Sequence, residues 1–496
     1  MNIFKDKFSE IKKASEPLYK SPKSVQETIE IQKISESGIF EVADGKYSKT
    51  YRFSDVNYAT RSEDEQESFF QRYCKCLNSF DCTFKITVNN KNKDMDVLRN
   101  EVMLKYRNDG FDKMRESYNR IIEEKILEGR QGIEQERYLT ITIERKNFEE
   151  AKAQFATIEA SMFRSFAELG SKLTPLTGNE RLKILHDYYR LGREDEFNFD
   201  IRQGRITGTD FRNEICNTRI KYHPDYFEDE GKVGRVLFIK KYPTYLSDRF
   251  FTELTFLPVH SVTSVDVVPV PKDLTMKMLQ KKYLGIESDI IKQQRTRNRN
   301  NDFSSDISYA TRQKKKDIEE IMNNVRENDE SLYYVSVTMI VMADDRDELQ
   351  SICETVDSIA KGAGCAVDTC MYKQREAVNT TLPIGVRQIE TMRTMLTQSL
   401  AVLMPFNVQE LCDRNGIYYG VNQISKNIIV GNRKKLLNGN GFIFGVSGAG
   451  KSFQAKMEMG SVLLSTDDNV IAVDPMNGAK RSYLKRVGAI FIKLYA

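Results

Sequence analysis

Near the C-terminal end of the sequence, Gly445, Gly450, Lys451 and Ser452 satisfy the pattern G-x-x-x-x-G-K-[ST], filled here as GVSGAGKS. Glycines at 445, 448 and 450 let the backbone curl so that successive N–H groups and the start of a helix point at one phosphate cluster. Lys451, the residue expected to act on the transferred group, would reach the β- and γ-phosphates, and the Ser452 hydroxyl would ligate Mg²⁺. The expected contact set is Gly445, Val446, Ser447, Gly448, Ala449, Gly450, Lys451, Ser452 and Phe453, with ATP and Mg²⁺ as ligands. The bland alternative is a glycine-rich turn that binds nothing.

Such a loop needs an apolar strand before it and a helix after it. Phe442 to Phe444 supply the first, and Phe453, Met457, Val462 and Leu463 mark the second. Asn469 to Val473 reads as the next strand, ending in Asp474-Pro475, where Asp474 either sits beside the nucleotide or caps a turn. No further apolar strand ending in Asp or Asp-Glu follows, so the residues after Lys451 give hydrolysis no second carboxylate. A parallel sheet limited to two strands is expected to leave apolar edges unpaired.

The remainder of the 496 residues must position this loop. The composition is 40% hydrophobic, 29% charged and 10% aromatic, with 11 prolines. That is globular, and the length suits two or three domains of roughly 150 residues. Lys and Arg number 75 against 71 Asp and Glu, a net charge of +4, so a globally basic nucleic-acid binder is excluded and any such contact is local. The longest strongly apolar run, Tyr334 to Ala343, is half the roughly 20 residues that cross a bilayer, and the N-terminus has no signal-peptide core. A cytoplasmic protein with no transmembrane segment of its own is expected. Cys74 and Cys76 form a lone C-x-C that reads as reduced thiols on a helix, not a zinc site.

Along the chain, residues 1–30 read as a flexible, lysine-rich arm. Helical spacing marks the stretch around Phe69, residues 111–126 and residues 148–169, while Cys82 to Val88 and Tyr138 to Ile143 alternate as strands. Ser171 to Lys232 reads as a linker or peripheral insertion. Strands are expected at Gly234 to Ile239, Phe251 to Phe256, Ser261 to Val270 and Tyr333 to Met342, and a helix through Leu349, Ile352, Val356 and Ile359. Gln293 to Lys316 is a basic connector into a helix at Asp317 to Val325, without the interleaved aromatics of a base-stacking groove. The strand-then-helix order of 333–359 echoes that of 138–169 and hints at two related halves.

The stretch from Pro405 to Pro475, with PFNVQEL, GIYYGVNQISKNIIVGNRKKLLNGNGFIFGVSGAGKSF and STDDNVIAVDPMN, resembles the VirB-four/TraE-like conjugative-transfer ATPases of type IV secretion systems, motors of the FtsK/HerA group. LTPLTGNERLKILHDYYR and TLPIGVRQIETMRTMLTQSLAVLMPF look like the same family. The resemblance implies an N-terminal α/β channel-docking domain over 31–400, in halves 31–232 and 233–400, followed by the first part of a RecA-like P-loop domain over 401–496. It also implies a homo-hexamer peripheral at the inner face of the membrane, with conjugation channel proteins and coupling or relaxosome components as partners. Two departures stand out: Ala449 where relatives often carry Ser, and Gly478-Ala479 where they tend to carry an acidic residue. The expected function is an ATPase motor subunit lacking most of its catalytic core, the alternative being a non-catalytic module of the same apparatus with a vestigial nucleotide loop.

Overall fold

The computed structural model describes residues 22–92, 102–128, 133–243, 245–299, 309–327, 329–411, 413, 416–423, 427–473 and 490–492. Strands that alternate apolar with short polar residues lead the chain through the same path twice. The first pass is β1 (Lys33–Ile34), β2 (Ile39–Ala43), β3 (Lys46–Phe53), α1 (Glu63–Asn78), β4 (Thr83–Asn92), α2 (Asp112–Glu128), β5 (Ile133–Glu144), α3 (Phe148–Leu169), β6 (Leu173–Pro175) and α4 (Gly178–Tyr189). Two short helices, α5 (Ile201–Thr207) and α6 (Arg212–Ile215), lead into the second pass. It runs β7 (Ile220–Tyr222), β8 (Phe227–Asp229), β9 (Lys232–Lys241), α7 (Arg249–Thr255), β10 (Ser261–Val270), α8 (Lys272–Arg299), α9 (Tyr309–Glu327), β11 (Leu332–Ala343), α10 (Arg346–Gly362), β12 (Ala366–Thr369) and α11 (Gln374–Thr381).

These strands form one antiparallel sheet in the order β1-β2-β3-β5-β4-β10-β11-β9-β8-β7, with β6 on β3 and β12 on β9. The order reads the same from either end. Each half is a three-strand meander that continues into a split β-α-β unit, and the halves meet where β4 pairs with β10. A single 13-stranded sheet therefore crosses the 232/233 boundary, since β13 (Arg393–Leu396) also joins it by pairing with β11.

Alternation gives the sheet two unlike faces. On one, Phe84, Ile86, Val88, Leu139, Ile141, Val265, Val267, Val335 and Val337 are buried with Phe69, Phe155, Phe251 and Val356 from α1, α3, α7 and α10. Phe406, beyond the short helix α12 (Thr397–Ala401), closes this core by edge-on contacts with Phe53, Phe69 and Tyr73. The middle of the other face carries Ser48, Thr50, Lys85, Thr87, Thr140, Ser264, Asp266 and Thr338, all buried.

What covers that polar stripe is segment 380–391, the last residues of α11 with the turn and loop that follow, and the stripe donates to its carbonyls. Ser48 Oγ donates to Ile384 O at 2.6 Å, Thr142 Oγ1 to Gly385 O at 3.0 Å and Ser264 Oγ to Thr381 O at 2.5 Å. The Lys85 ammonium donates to Thr380 O, to Val386 O at 3.1 Å and to Leu382 O at 3.4 Å. Burial pushes Lys85 down to about 8, opposed by Asp266, its cross-strand partner. Arg181 of α4 adds Pro383 O and Ile384 O from the side, its guanidinium 3.9 Å from the Phe40 ring centroid. Gly385, at φ 98°, is the tightest point: a Cβ there would stand 2.6 Å from Ser48 Cβ.

Several expectations change here. Residues 171–232 are no linker, because Leu182, Leu185, Tyr188, Tyr189, Ile201 and Ile215 are core residues beside Ile340 and Val378. The arm is shorter than 1–30: Ile29 and Ile31 are buried in the same cluster, and residues 1–21 lie outside the described ones. The strand expected at 251–256 is instead the helix α7, which ends at Thr255, since Phe250, Phe251 and Leu254 are spaced for one helical face. Among the described residues, the cations of 293–316 fall on helices: α8 extends to Arg299 and α9 starts at Tyr309, before Asp317, while 300–308 lie outside the described ones. Cys74 and Cys76 are buried on α1, and desolvation pushes both thiols up to about 12. Among the described residues no group of three or more His, Cys, Asp or Glu is placed to hold a metal ion, and no helix is long and apolar enough to cross a membrane.

The segment is also fixed by charge: Arg387 clasps the buried Asp266 carboxylate with two bonds of 2.7 and 2.9 Å. Removing one partner of such a pair strands the other, at a cost of about 3–5 kcal/mol. Arg387→Ala is therefore expected to lower the unfolding midpoint sharply in a thermal scan. The double variant Arg387→Ala/Asp266→Asn should recover part of the loss, and equal midpoints for the two variants would contradict this account of the pair.

Candidate phosphate-binding loop

Beyond Phe406 the chain forms the hairpin β14 (Ile417–Val421) and β15 (Ile428–Gly431), then the loop, the helix α13 (Lys451–Ser465), and a parallel pair, β16 (Ile471–Val473) with β17 (Ile490–Ile492). Gly448 and Gly450 adopt φ of 82° and 85°, and a Cβ at either would meet open space. These angles are unfavourable for other residues. They turn the backbone so that Gly450 caps α13, whose first-turn amides have no intrahelical acceptor.

The Lys451 side chain folds back across the loop and donates to Gly445 O at 2.8 Å and Val446 O at 2.7 Å. Ala449 N closes the turn on Val446 O at 3.2 Å. One cation, a helix N-terminus and a ring of main-chain groups are thus gathered within residues 445–451. Residues 445–450 and Ser452 are exposed, as are Val446 at 79% and Phe453 at 68%. The expected contact residues 445–453 are one continuous turn and helix start, open on the outside.

The strand expected before the loop is not in a ladder. Phe442 and Phe444 are 83% and 87% exposed and stack on one another at 5.7 Å. Among the described residues β16 pairs with β17, and 442–444 pair with no strand. The coarse α/β class stands, with an antiparallel sheet as its dominant part. Asp474, Pro475, Gly478 and Ala479 lie outside the described residues.

Side chains remote from the motif hold α13 in place. Glu458, two turns after Lys451, pairs with Arg433 at 2.8 Å and accepts from Tyr419 OH at 3.0 Å, while Arg433 Nε donates to the same phenol oxygen at 3.0 Å. At the far end Arg115 Nε donates to Leu464 O at 3.2 Å, and Arg107 reaches Ser465 O at 2.9 Å and Asp467 at 2.7 Å. Val102, Tyr118 and Ile122 pack with Ile428 and Val430 alongside. None of these residues belongs to the phosphate motif itself. Arg107 and Arg115 precede the loop by over three hundred positions, so sequence spacing carries no signal for them.

No known protein-family model matches this chain, and a search of curated proteins found no match.

Proposed function

We propose that residues 445–452 bind the phosphates of ATP, and that the chain is an ATP-binding subunit of a conjugative type IV secretion motor. The observation that carries the first part is the Lys451 ammonium held against Gly445 O and Val446 O at the N-terminus of α13. A cation in that position is poised to leave two neutral carbonyls for a polyphosphate, a stronger, charge-assisted partner. The second part rests on the sequence resemblance of Pro405 to Pro475 to the motors named above.

The loop fits the group: two left-handed glycines open the cradle, and the helix start favours negative charge. Lys451 would hold the β- and γ-phosphates and Ser452 the Mg²⁺, which would neutralise phosphate charge when bound. Among the described residues no carboxylate is hydrogen-bonded to Lys451 or Ser452, and the exposed 442–444 strand leaves the loop without a sheet behind it. These features favour binding over turnover, the state of an incomplete motor; the non-catalytic alternative, with a vestigial loop, expects no binding.

Titration with a fluorescent ATP analogue and Mg²⁺ is expected to saturate with the wild type, while Lys451→Ala weakens binding by at least about tenfold, as loss of a charged contact should. Equal affinity of the two proteins would overturn the reading. Gly450→Ala adds a methyl in open space, so its effect comes from φ alone, about 1–2 kcal/mol. The exposed free loop relaxes away from that angle and nucleotide must restore it, so roughly tenfold weaker binding at unchanged thermal midpoint is the expected outcome.

A further inference from the structure

We infer that Arg115 and Arg107 are positioning residues that tie occupancy of the phosphate loop to the N-terminal sheet unit. This inference rests on the nucleotide-binding reading of the loop. α13 is one unbroken helix of 15 residues, about 22 Å long at 1.5 Å per residue. The loop occupies its first residue, and the two arginines occupy its last carbonyls.

Arg115 is clamped by carboxylates besides the helix, and Arg107 joins the same knot through its main chain. Arg115 is 1% exposed, the largest fully buried side chain described. Asp109 accepts from it at 2.6 and 2.5 Å and Asp112 at 2.7 Å. Asp112 in turn accepts from the main-chain N–H groups of Arg107 and Asn108 at 3.0 and 2.9 Å, closing residues 107–112 into one knot at the start of α2. The arginine hydrogen bonds hold Asp109 and the main-chain donors hold Asp112 below the ordinary carboxylate range.

Helix physics links the two ends. Each charge acts favourably on its own end of the helix dipole, an effect that fades within one turn, so the link is mechanical: one continuous helix pinned at its last turn presents its first turn in one place. Any stabilisation of α13 by nucleotide must then appear at the arginine knot, and the knot must raise nucleotide affinity by the same factor. The duplicated fold sharpens the point. In the first half the excursion between β4 and β5 carries the knot; in the second the excursion between β10 and β11 packs on itself, with Lys315 of α9 on Glu287 and Tyr283 of α8.

Hydrogen exchange of the full chain with and without a non-hydrolysable ATP analogue and Mg²⁺ tests this. In the wild type, exchange should slow at 445–452 and also at 104–119. Arg115→Gln should keep the loop effect, lose the effect at 104–119 and bind the analogue about three- to tenfold more weakly. Arg107→Ala, a partly exposed position less prone to unfold the chain, should weaken the remote effect at an unchanged thermal midpoint. Slowing confined to 445–465 in the wild type, or remote slowing that persists in both variants, would overturn the inference while leaving the loop reading intact. No slowing anywhere, with no binding by titration, would sink the loop reading and the inference with it.

Discussion

A row of hydroxyls, one lysine and one aspartate crosses the middle of the sheet, and buried polar groups of this kind must find partners or the sheet is destabilised. Segment 380–391 supplies those partners with its own carbonyls and with Arg387. The arrangement joins both halves of the duplicated fold: Ser48 and Thr142 come from the first, Ser264 and Asp266 from the second, and Lys85 stands at the β4–β10 seam. It also fixes where the chain leaves the sheet, through β13 and α12 to Phe406 and onward to the phosphate loop. Further along, Phe406 in the core, the bonds of Asn407 and Gln409 to residues 55–59, and the packing of α2 on β14–β15 add to that placement.

Downstream, the loop itself is built from local chemistry. Two glycines supply the turn, the helix supplies partial positive charge, and Lys451 supplies a full one. What orients α13 comes from outside the motif: Tyr419, Arg433 and Glu458 on one side, Arg107 and Arg115 at the far end. The loop provides the binding chemistry and the remote side chains provide its direction.

Much of this was legible in the sequence, because the valine-rich run Ser261 to Val270 marked β10, the alternation of Cys82 to Val88 and Tyr138 to Ile143 fell within β4 and β5 apart from its first residue, and the three-and-four spacing of Phe148 to Leu169 marked α3. The phosphate motif located the loop. Alternation, however, says only that one face is polar; that Lys85, Thr87 and Ser264 are buried under a distant segment depends on contacts across almost three hundred residues. Residues 171–232 looked like a linker because their glycines and charges obscured the apolar positions of α4, and Arg181 is a buried cation that hydropathy assigns to the surface. The 442–444 strand failed for a related reason: three apolar residues define a strand only when neighbours pair with them.

The most direct test is an experimental structure of the chain with ATP and Mg²⁺. The account predicts a triphosphate over the N-terminus of α13, with Lys451 Nζ moved from Gly445 O and Val446 O onto the phosphate oxygens. Nucleotide bound elsewhere, or Lys451 still closed on those two carbonyls at saturating ATP, would contradict it.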